Sequence, residues 1–434
     1  GVVERAKILP PQSLMGPADS ARMQQLILAD EFELKYRDSV DRESAYEILQ
    51  QASAELEERL SPVLFKHLEV SRKSMSPEII DDLVEENKLV SEYSKLMASL
   101  EFEFRGESLP RAMLMKYAKS DDRETRREAY EVLGKVLKEH SAELDDIYDR
   151  MVHVRDRMAK KMGYKNYVEL GYHRMGRIDY DQDKVKTFRE NVLNDIVPVV
   201  SRLRTENAKR LGIDDYKLYD NDVIIPGGDP VPAGGKAEIF AAAREMYHAM
   251  GEETGKFIDM MIDNDAFDVD SRKNKWGGGY CTEFPKFKQP FILANFNGSS
   301  GDVDVMTHEF GHALAAHFVF EQGDQELDVG GMETAECHSM SMEFLTSDYH
   351  HLFFADQTDK YQLFHAESAV FFLPYGCMVD EFQHIVYGNP ELSPQQRNEA
   401  WMELEKKYRP YLTFGDLPFY GRGAGWQRQM HIYL

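Results

Sequence analysis

The stretch 301-GDVDVMTHEFGHALAAHF-318 contains the motif HEFGH at 308–312, and this motif constrains the fold around it. Residues four apart on an α-helix lie on the same side, because 3.6 residues make one turn. On a helix, the imidazoles of His308 and His312 can therefore bind one Zn²⁺ together. Glu309 then lies beside the open coordination position, where its carboxylate can accept a proton from an attacking water.

The motif fixes only three positions, so the same letters also fit an amphipathic helix with two surface or core histidines. Local features favour a metal-binding helix. Asp302 or Ser300 can cap its start, and Asp304 falls in its first turn, where a negative charge is favourable. The neighbouring residues Phe310 and Ala313 are apolar, which turns the histidine pair towards the protein interior.

A second helix is predicted after the break at Gly330–Gly331, and it carries Glu333, Glu336 and Glu343. A His₂Glu zinc site with one open position needs such a carboxylate from a neighbouring helix. Glu336 and Glu343 are two turns apart and share a helix face, and Glu333 lies near that face. Spacing alone leaves all three open as the third ligand, and His338 is a weaker candidate. The alternative is that the three glutamates are ordinary solvated charges.

Composition indicates a globular protein with an ordinary core. Of 434 residues, 42% are hydrophobic and 29% are charged, and the net charge is −24. This acidity disfavours nucleic acid and anionic membranes as partners. The three cysteines have no pair spacing, which suits a reducing compartment, and the most apolar stretch, Ala369–Val379, is too short to span a membrane. We therefore expect a cytoplasmic protein.

Helical periodicity dominates the remaining sequence. One helix is predicted to begin at Ser76–Pro77, a second near Ser120–Asp121, and a third contains apolar residues at helical spacing over Leu144–Val154. Strand signals are sparse, and the best candidates are Lys275–Phe284 and Phe291–Phe296, just before the HEFGH helix. The pattern predicts a mainly α protein with a small sheet beside the metal-binding helix.

Several segments resemble the oligoendopeptidase F group of the thimet oligopeptidase family, which are zinc metallopeptidases of the His-Glu-x-x-His gluzincin type. The likeness runs from about residue 40 to the last residue. The matching segments are residues 76–93, 162–171, 277–282, 290–298, 308–312, 333–344, 372–376, 379–384 and 426–433.

This resemblance implies a mainly α, two-lobed helical body with a deep central channel. A small β-sheet is expected beside a zincin-type pair of active-site helices. Residues 1–200 would form an N-terminal helical lobe, and residues 201–434 the catalytic zinc-peptidase lobe. A channel of this kind would admit short peptides and exclude folded proteins.

The resemblance also implies roles for the residues around the metal. The family's third zinc ligand is the Glu that lies seven residues before another Glu, which corresponds to Glu336, with Glu343 as the supporting carboxylate. His308 and His312 correspond to the other two ligands of Zn²⁺, and Glu309 to the general base.

Two further features are predicted to contact the substrate. His431 resembles the family's His ahead of a Tyr-rich run and is the best candidate donor to the developing oxyanion; alternatively it is a surface His. The glycine run Gly277–Gly279 leads into a strand that can pair with an extended peptide, so Gly278, Gly279 and Tyr280 are predicted to bind substrate. The alternative is a purely structural hairpin.

The predicted function is a zinc metalloendopeptidase that cleaves internal bonds of short peptides, with no nucleic-acid or membrane partner. A zinc carboxypeptidase and a non-catalytic peptide-binding protein are the alternatives, and the oligomeric state stays open. Family members continue into the Tyr-rich run after their His-Ile-Tyr segment, so the resemblance implies further residues beyond Leu434. Without that run the peptide-binding alternative would gain weight.

Overall fold

A computed structural model describes residues 61–272, 275, 279–322 and 331–433 of the chain, and most of this part is helical. The helices are α1 (Pro62–Ser74), α2 (Ile80–Ser99), α3 (Arg111–Ala118), α4 (Arg123–Glu139), α5 (Ser141–Lys161), α6 (Tyr167–Arg174), α7 (Gln182–Asn191), α8 (Val197–Arg210), α9 (Lys236–Met250), α10 (Glu252–Asp263), α11 (Gly301–Gln322), α12 (Met332–Leu345), α13 (His351–Phe354), α14 (Thr358–Gly388), α15 (Pro394–Tyr408) and α16 (Met430–Tyr433). The strands are β1 (Glu101–Phe104), β2 (Glu107–Pro110), β3 (Phe267–Asp270), β4 (Tyr280–Phe284) and β5 (Gln289–Phe296). The predicted mainly α class is confirmed.

The predicted helix starts are confirmed to within a few residues. The Ser76 hydroxyl accepts a hydrogen bond from the backbone N–H of Glu78, and Pro77 opens a 3₁₀ turn that leads into α2. Asp122 caps α4 by accepting hydrogen bonds from Thr125. In both cases a short polar side chain satisfies backbone donors that the first helical turn leaves free.

The sheet next to α11 has the strand order β3–β5–β4. β3 runs parallel to β5, whereas β4 pairs with β5 in antiparallel register, with Cys281 opposite Ile292. Ile292 and Ala294 are buried on one face of β5, as the alternation of a half-buried strand requires. Among the described strands β4 lies at an edge of this sheet. The prediction of strands here is confirmed, although 276–278 lie outside the described residues.

Buried apolar side chains form separate clusters that α14 joins. Tyr361 near its start belongs to the cluster around α11 and β5, and Phe371 belongs to a small cluster with α8. Met378 and Phe382 in its second half belong to the largest cluster, together with α2, α4 and α5. That largest cluster combines side chains from before residue 200 with others from 377–433 and so crosses the predicted domain boundary. The boundary, the two lobes and the channel stay predictions.

No helix in the described part of the chain is both long enough and apolar enough to cross a membrane.

Candidate metal centre

The candidate metal-binding residues come from two helices that pack side by side. α11 supplies His308 and His312, and α12 supplies Glu336. One ligand atom of each lies within 4.8 Å of the ligand atoms of the other two. The distance from His308 Nε2 to Glu336 Oε2 is 3.3 Å. Ligands about 2.1 Å from a tetrahedral Zn²⁺ lie about 3.4 Å apart, so the spacing of His308 and Glu336 fits that ion. His312 completes the group within the 4.8 Å limit.

The close packing of α11 and α12 depends on Gly311. A Cβ at this position would lie 2.7 Å from the carbonyl oxygen of His338 and 2.8 Å from Cα of Ser339. Both are backbone atoms, which cannot move aside without shifting the helix. The missing side chain therefore lets the two helices approach until their ligand atoms meet. The Ser339 hydroxyl donates a hydrogen bond of 2.9 Å to Glu336 Oε2 and orients that carboxylate.

Glu343 orients His308, the first of the two candidate histidine ligands. His308 Nδ1–H donates to Glu343 Oε1 at 2.6 Å, which leaves Nε2 of His308 free to bind a metal. His365 Nε2 donates to the other carboxylate oxygen, also at 2.6 Å. Burial would raise the pKa of Glu343, but the hydrogen bonds from the two histidines outweigh it and lower this pKa to about 2. Glu343 is therefore an ionised acceptor held between two imidazoles.

Glu309 is buried on α11, the helix that also carries His308 and His312, and it faces the start of β4. A Cβ added to Gly279 would lie 3.5 Å from Glu309 Oε1 and 3.6 Å from the carbonyl oxygen of Leu293. Burial raises the pKa of Glu309 above its usual value, against the opposing effect of His308. A carboxylate with a raised pKa is suited to accept a proton and then release it. Gly279 keeps the space in front of this carboxylate open.

The structure gives Glu333 a different role from metal binding. Arg177 Nε donates to Glu333 Oε1 at 2.8 Å, and Nη2 of the same guanidinium also contacts that oxygen. A Cβ on Gly331 would lie 3.0 Å from the carbonyl oxygen of Met175. The start of α12 is therefore held against the segment that follows α6. Of the three glutamates that spacing left open, Glu336 joins the histidines and Glu333 does not.

Of the two residues predicted to cap α11, Asp302 acts in another way. Asp302 lies inside the first turn, and its carboxylate accepts hydrogen bonds from the backbone N–H groups of Asn297 and Gly298. It therefore orders the turn that leads from β5 into the helix. Asp304 is in the first turn as predicted, and its carboxylate accepts a hydrogen bond from the hydroxyl of Tyr361 on α14. Burial raises the pKa of Asp304 to about 6.

Four predicted residues remain to be located, namely Tyr280, Gly278, His431 and His338. Tyr280 begins β4, and Gly278 lies outside the described residues. His431 is exposed on the short helix α16, which packs on α2. His338 is exposed on α12 and does not belong to the group of three ligands. The roles of His431 and of the substrate-binding residues stay predictions.

Three residues that support the site carry no signal in the sequence, namely Arg177, Tyr361 and His365. Tyr361 and His365 are four apart on α14, a spacing that places them on one helix face. That spacing is common in any helix and does not indicate which partner the face meets. Arg177 is more than 150 residues away from its partner Glu333 in the chain, and no local pattern connects them.

Comparisons with known proteins place the chain in a peptidase family. The family model described as peptidase family M3 matches residues 116–223 and 238–422. A second model, described as helicase HerA-like C-terminal, matches residues 1–90. The structure describes 61–90 of that range, where Leu89 of α2 lies in the largest apolar cluster.

The individual relatives, like the first family model, are described as peptidases. Oligopeptidase PepF of Bacillus subtilis (strain 168) is 23% identical over an alignment of 337 positions, which covers 74% of this chain and 47% of the relative. A crystal structure described as an oligoendopeptidase F and one described as PZ peptidase A with an inhibitor are each similar with a TM-score of 0.85 and 40% identity. These matches cover 97% of this chain and 74% and 75% of the solved chains. The chain spans less than half the length of the curated relatives it matches.

Proposed function

Because the chain belongs to peptidase family M3, we propose that it is a zinc metalloendopeptidase that hydrolyses internal bonds of short peptides. The observation that carries this proposal is the arrangement of His308, His312 and Glu336 within 4.8 Å of one another, beside the buried carboxylate of Glu309. Two imidazoles and one carboxylate with an open position are the ligand set of catalytic zinc. Three unpaired cysteines suit a reducing compartment, so we also expect the protein to act in the cytoplasm.

Each residue of the proposed site has a separate role in hydrolysis. A bound Zn²⁺ would polarise the scissile carbonyl and lower the pKa of an attacking water. Glu309 would accept the proton of that water and pass it to the leaving nitrogen. This role requires a carboxylate that is not paired with a cation. Glu343 keeps Nε2 of His308 directed at the metal position through the hydrogen bond at Nδ1.

We propose that the peptide lies along β4. This strand forms an edge of its sheet among the described strands, so its outer backbone groups can pair with an extended chain. Gly279, which directly precedes β4, lies next to Glu309, so a peptide on this strand would bring its scissile bond to the base. Tyr280 begins the strand and belongs to the same proposed binding segment. Main-chain pairing selects for extended conformation and tolerates many side chains. Gly278 is included among the proposed substrate-binding residues because it directly precedes Gly279 in the sequence.

We propose His431 as a donor to the developing oxyanion. Its side chain is exposed, so its imidazole is accessible to a ligand. Loss of one oxyanion donor lowers kcat by roughly 10²–10³-fold in other hydrolases. If His431→Ala retains wild-type kcat, this role is wrong and the histidine is an ordinary surface residue.

The test of the main proposal is Glu309→Gln with zinc content measured in the same sample. We expect one zinc per chain in both proteins and a fall in kcat of roughly 10²–10⁴-fold in the variant, the usual contribution of a general base. Full activity in the variant with unchanged zinc would contradict the mechanism.

Product masses from one peptide separate the alternatives, since internal cuts indicate an endopeptidase and stepwise loss from the C-terminus a carboxypeptidase. Binding that survives chelation, without turnover, would favour a peptide-binding protein.

A further inference from the structure

Helix α14 reaches both helices that carry the metal ligands. The Tyr361 hydroxyl donates to Asp304, which lies one turn before His308 on α11. His365, four residues further along α14, donates to Glu343 on α12 at 2.6 Å. One face of α14 therefore contacts α11 through one hydrogen bond and α12 through the other.

His365 is held firmly in this position. Its side chain is only 10% exposed. Its ring packs against the ring of Tyr361, with centroids 5.7 Å apart, and against Phe344 at 4.8 Å. The imidazole therefore has little freedom to turn, and its Nε2–H points at one oxygen of the Glu343 carboxylate. A carboxylate anchored at that oxygen has its other oxygen fixed towards Nδ1 of His308.

We infer that His365 is a positioning residue for the metal centre, acting on His308 through Glu343. Without the hydrogen bond from His365, Glu343 could rotate and His308 would lose the fixed ring orientation that presents Nε2. Groups that orient a metal ligand from outside typically change metal affinity by roughly 10–100-fold when they are replaced. This inference rests on the zinc site proposed above, and it adds to that site a residue from a third helix.

The experiment measures the zinc dissociation constant of the full chain by competition with a chromogenic chelator. His365→Leu removes the donor, and we expect zinc affinity to fall by about tenfold, the lower end of that range, because His365 acts through one intermediate residue. His365→Gln restores an N–H donor of similar reach and should recover most of the affinity. If His365→Leu does not fold, His365→Phe keeps a ring against Tyr361 and Phe344 without the donor, and carries the same expectation.

The matched control is His384→Leu on the same helix, about five turns away. His384 is similarly buried, at 16% exposure, and bonds to the hydroxyl of Tyr172 rather than to the metal centre. The zinc affinity of the His384→Leu variant should equal that of the wild type. Equal zinc affinity in His365→Leu, His365→Gln and wild type would overturn the positioning role while the proposed zinc site stands. A wild-type chain that binds no zinc would overturn the proposed function and this inference with it.

Discussion

Gly311 illustrates how a single missing side chain sets the geometry of the site. Alanine is favoured over glycine inside an ordinary helix by about 1 kcal/mol, so Gly311→Ala would stabilise an isolated α11. The added Cβ, however, would meet backbone atoms of His338 and Ser339 at 2.7 and 2.8 Å. Overpacking of this kind costs about 1–3 kcal/mol, which equals or exceeds the gain in helix propensity.

We therefore expect Gly311→Ala to lower the free energy of unfolding of the zinc-free protein by up to about 2 kcal/mol and to weaken zinc binding. Urea denaturation gives the first quantity and chelator competition the second. Gly388→Ala is the control, because a Cβ at Gly388 meets nothing within 4 Å. An increase in stability for Gly311→Ala would mean that α11 and α12 pack less closely than the structure shows.

At the scale of elements, Glu86 joins three helices that precede the site. Its carboxylate on α2 accepts hydrogen bonds from Arg155 on α5 at 2.6 Å and from Arg174 on α6 at 2.7 Å. The Glu86 side chain is only 4% exposed. Burial would raise the pKa of Glu86, but the two guanidinium groups outweigh it and lower the pKa. Removing the anion would break the ion pair between Glu86 and the buried Arg155.

We expect Glu86→Gln to reduce the free energy of unfolding near neutral pH by about 3–5 kcal/mol, the cost of breaking a buried pair. Because the folded-state pKa lies below the unfolded value of about 4.3, this contribution is present above that pH and is lost as the pH falls through the folded pKa. The difference between wild type and variant should therefore shrink in acid. Urea titrations at several pH values measure it.

The matched control is Glu85→Gln on the same helix. Glu85 pairs with Arg157, but both side chains are about half exposed, at 50% and 44%. Exposed pairs contribute about 0–1 kcal/mol, so this variant should differ little from wild type at any pH. Equal losses in the two variants would show that burial does not set the strength of the Glu86 pairs.

At the scale of the whole molecule, the C-terminal residues complete a core built by the first helices. The ring of Tyr433 stacks on Tyr93 of α2 with centroids 3.7 Å apart, and it is fully buried. Tyr148 of α5 contacts both Tyr433 and Trp426. The segment 426–433 thus packs on α2 and α5, and α14 links this core to the candidate metal centre.

We expect Tyr433→Ala to lower the free energy of unfolding by about 3–5 kcal/mol, as for other buried aromatic residues replaced by alanine. Met430→Ala in the same short helix is the control, because Met430 is 47% exposed and its loss should change stability by no more than about 0.5 kcal/mol. Urea denaturation compares the two. A small effect of Tyr433→Ala would mean that α16 is dispensable for the core.

The sequence by itself determined the helix with HEFGH, the second helix with its glutamates and the mainly α class, because helical periodicity and ligand spacing are local properties. Resemblance to the family singled out Glu336, and the structure groups it with His308 and His312. Only the tertiary structure decided that Glu333 pairs with Arg177 and that His365 holds Glu343. Periodicity shows which face of a helix is buried but not which distant segment covers it, and these partners meet only when the helices pack.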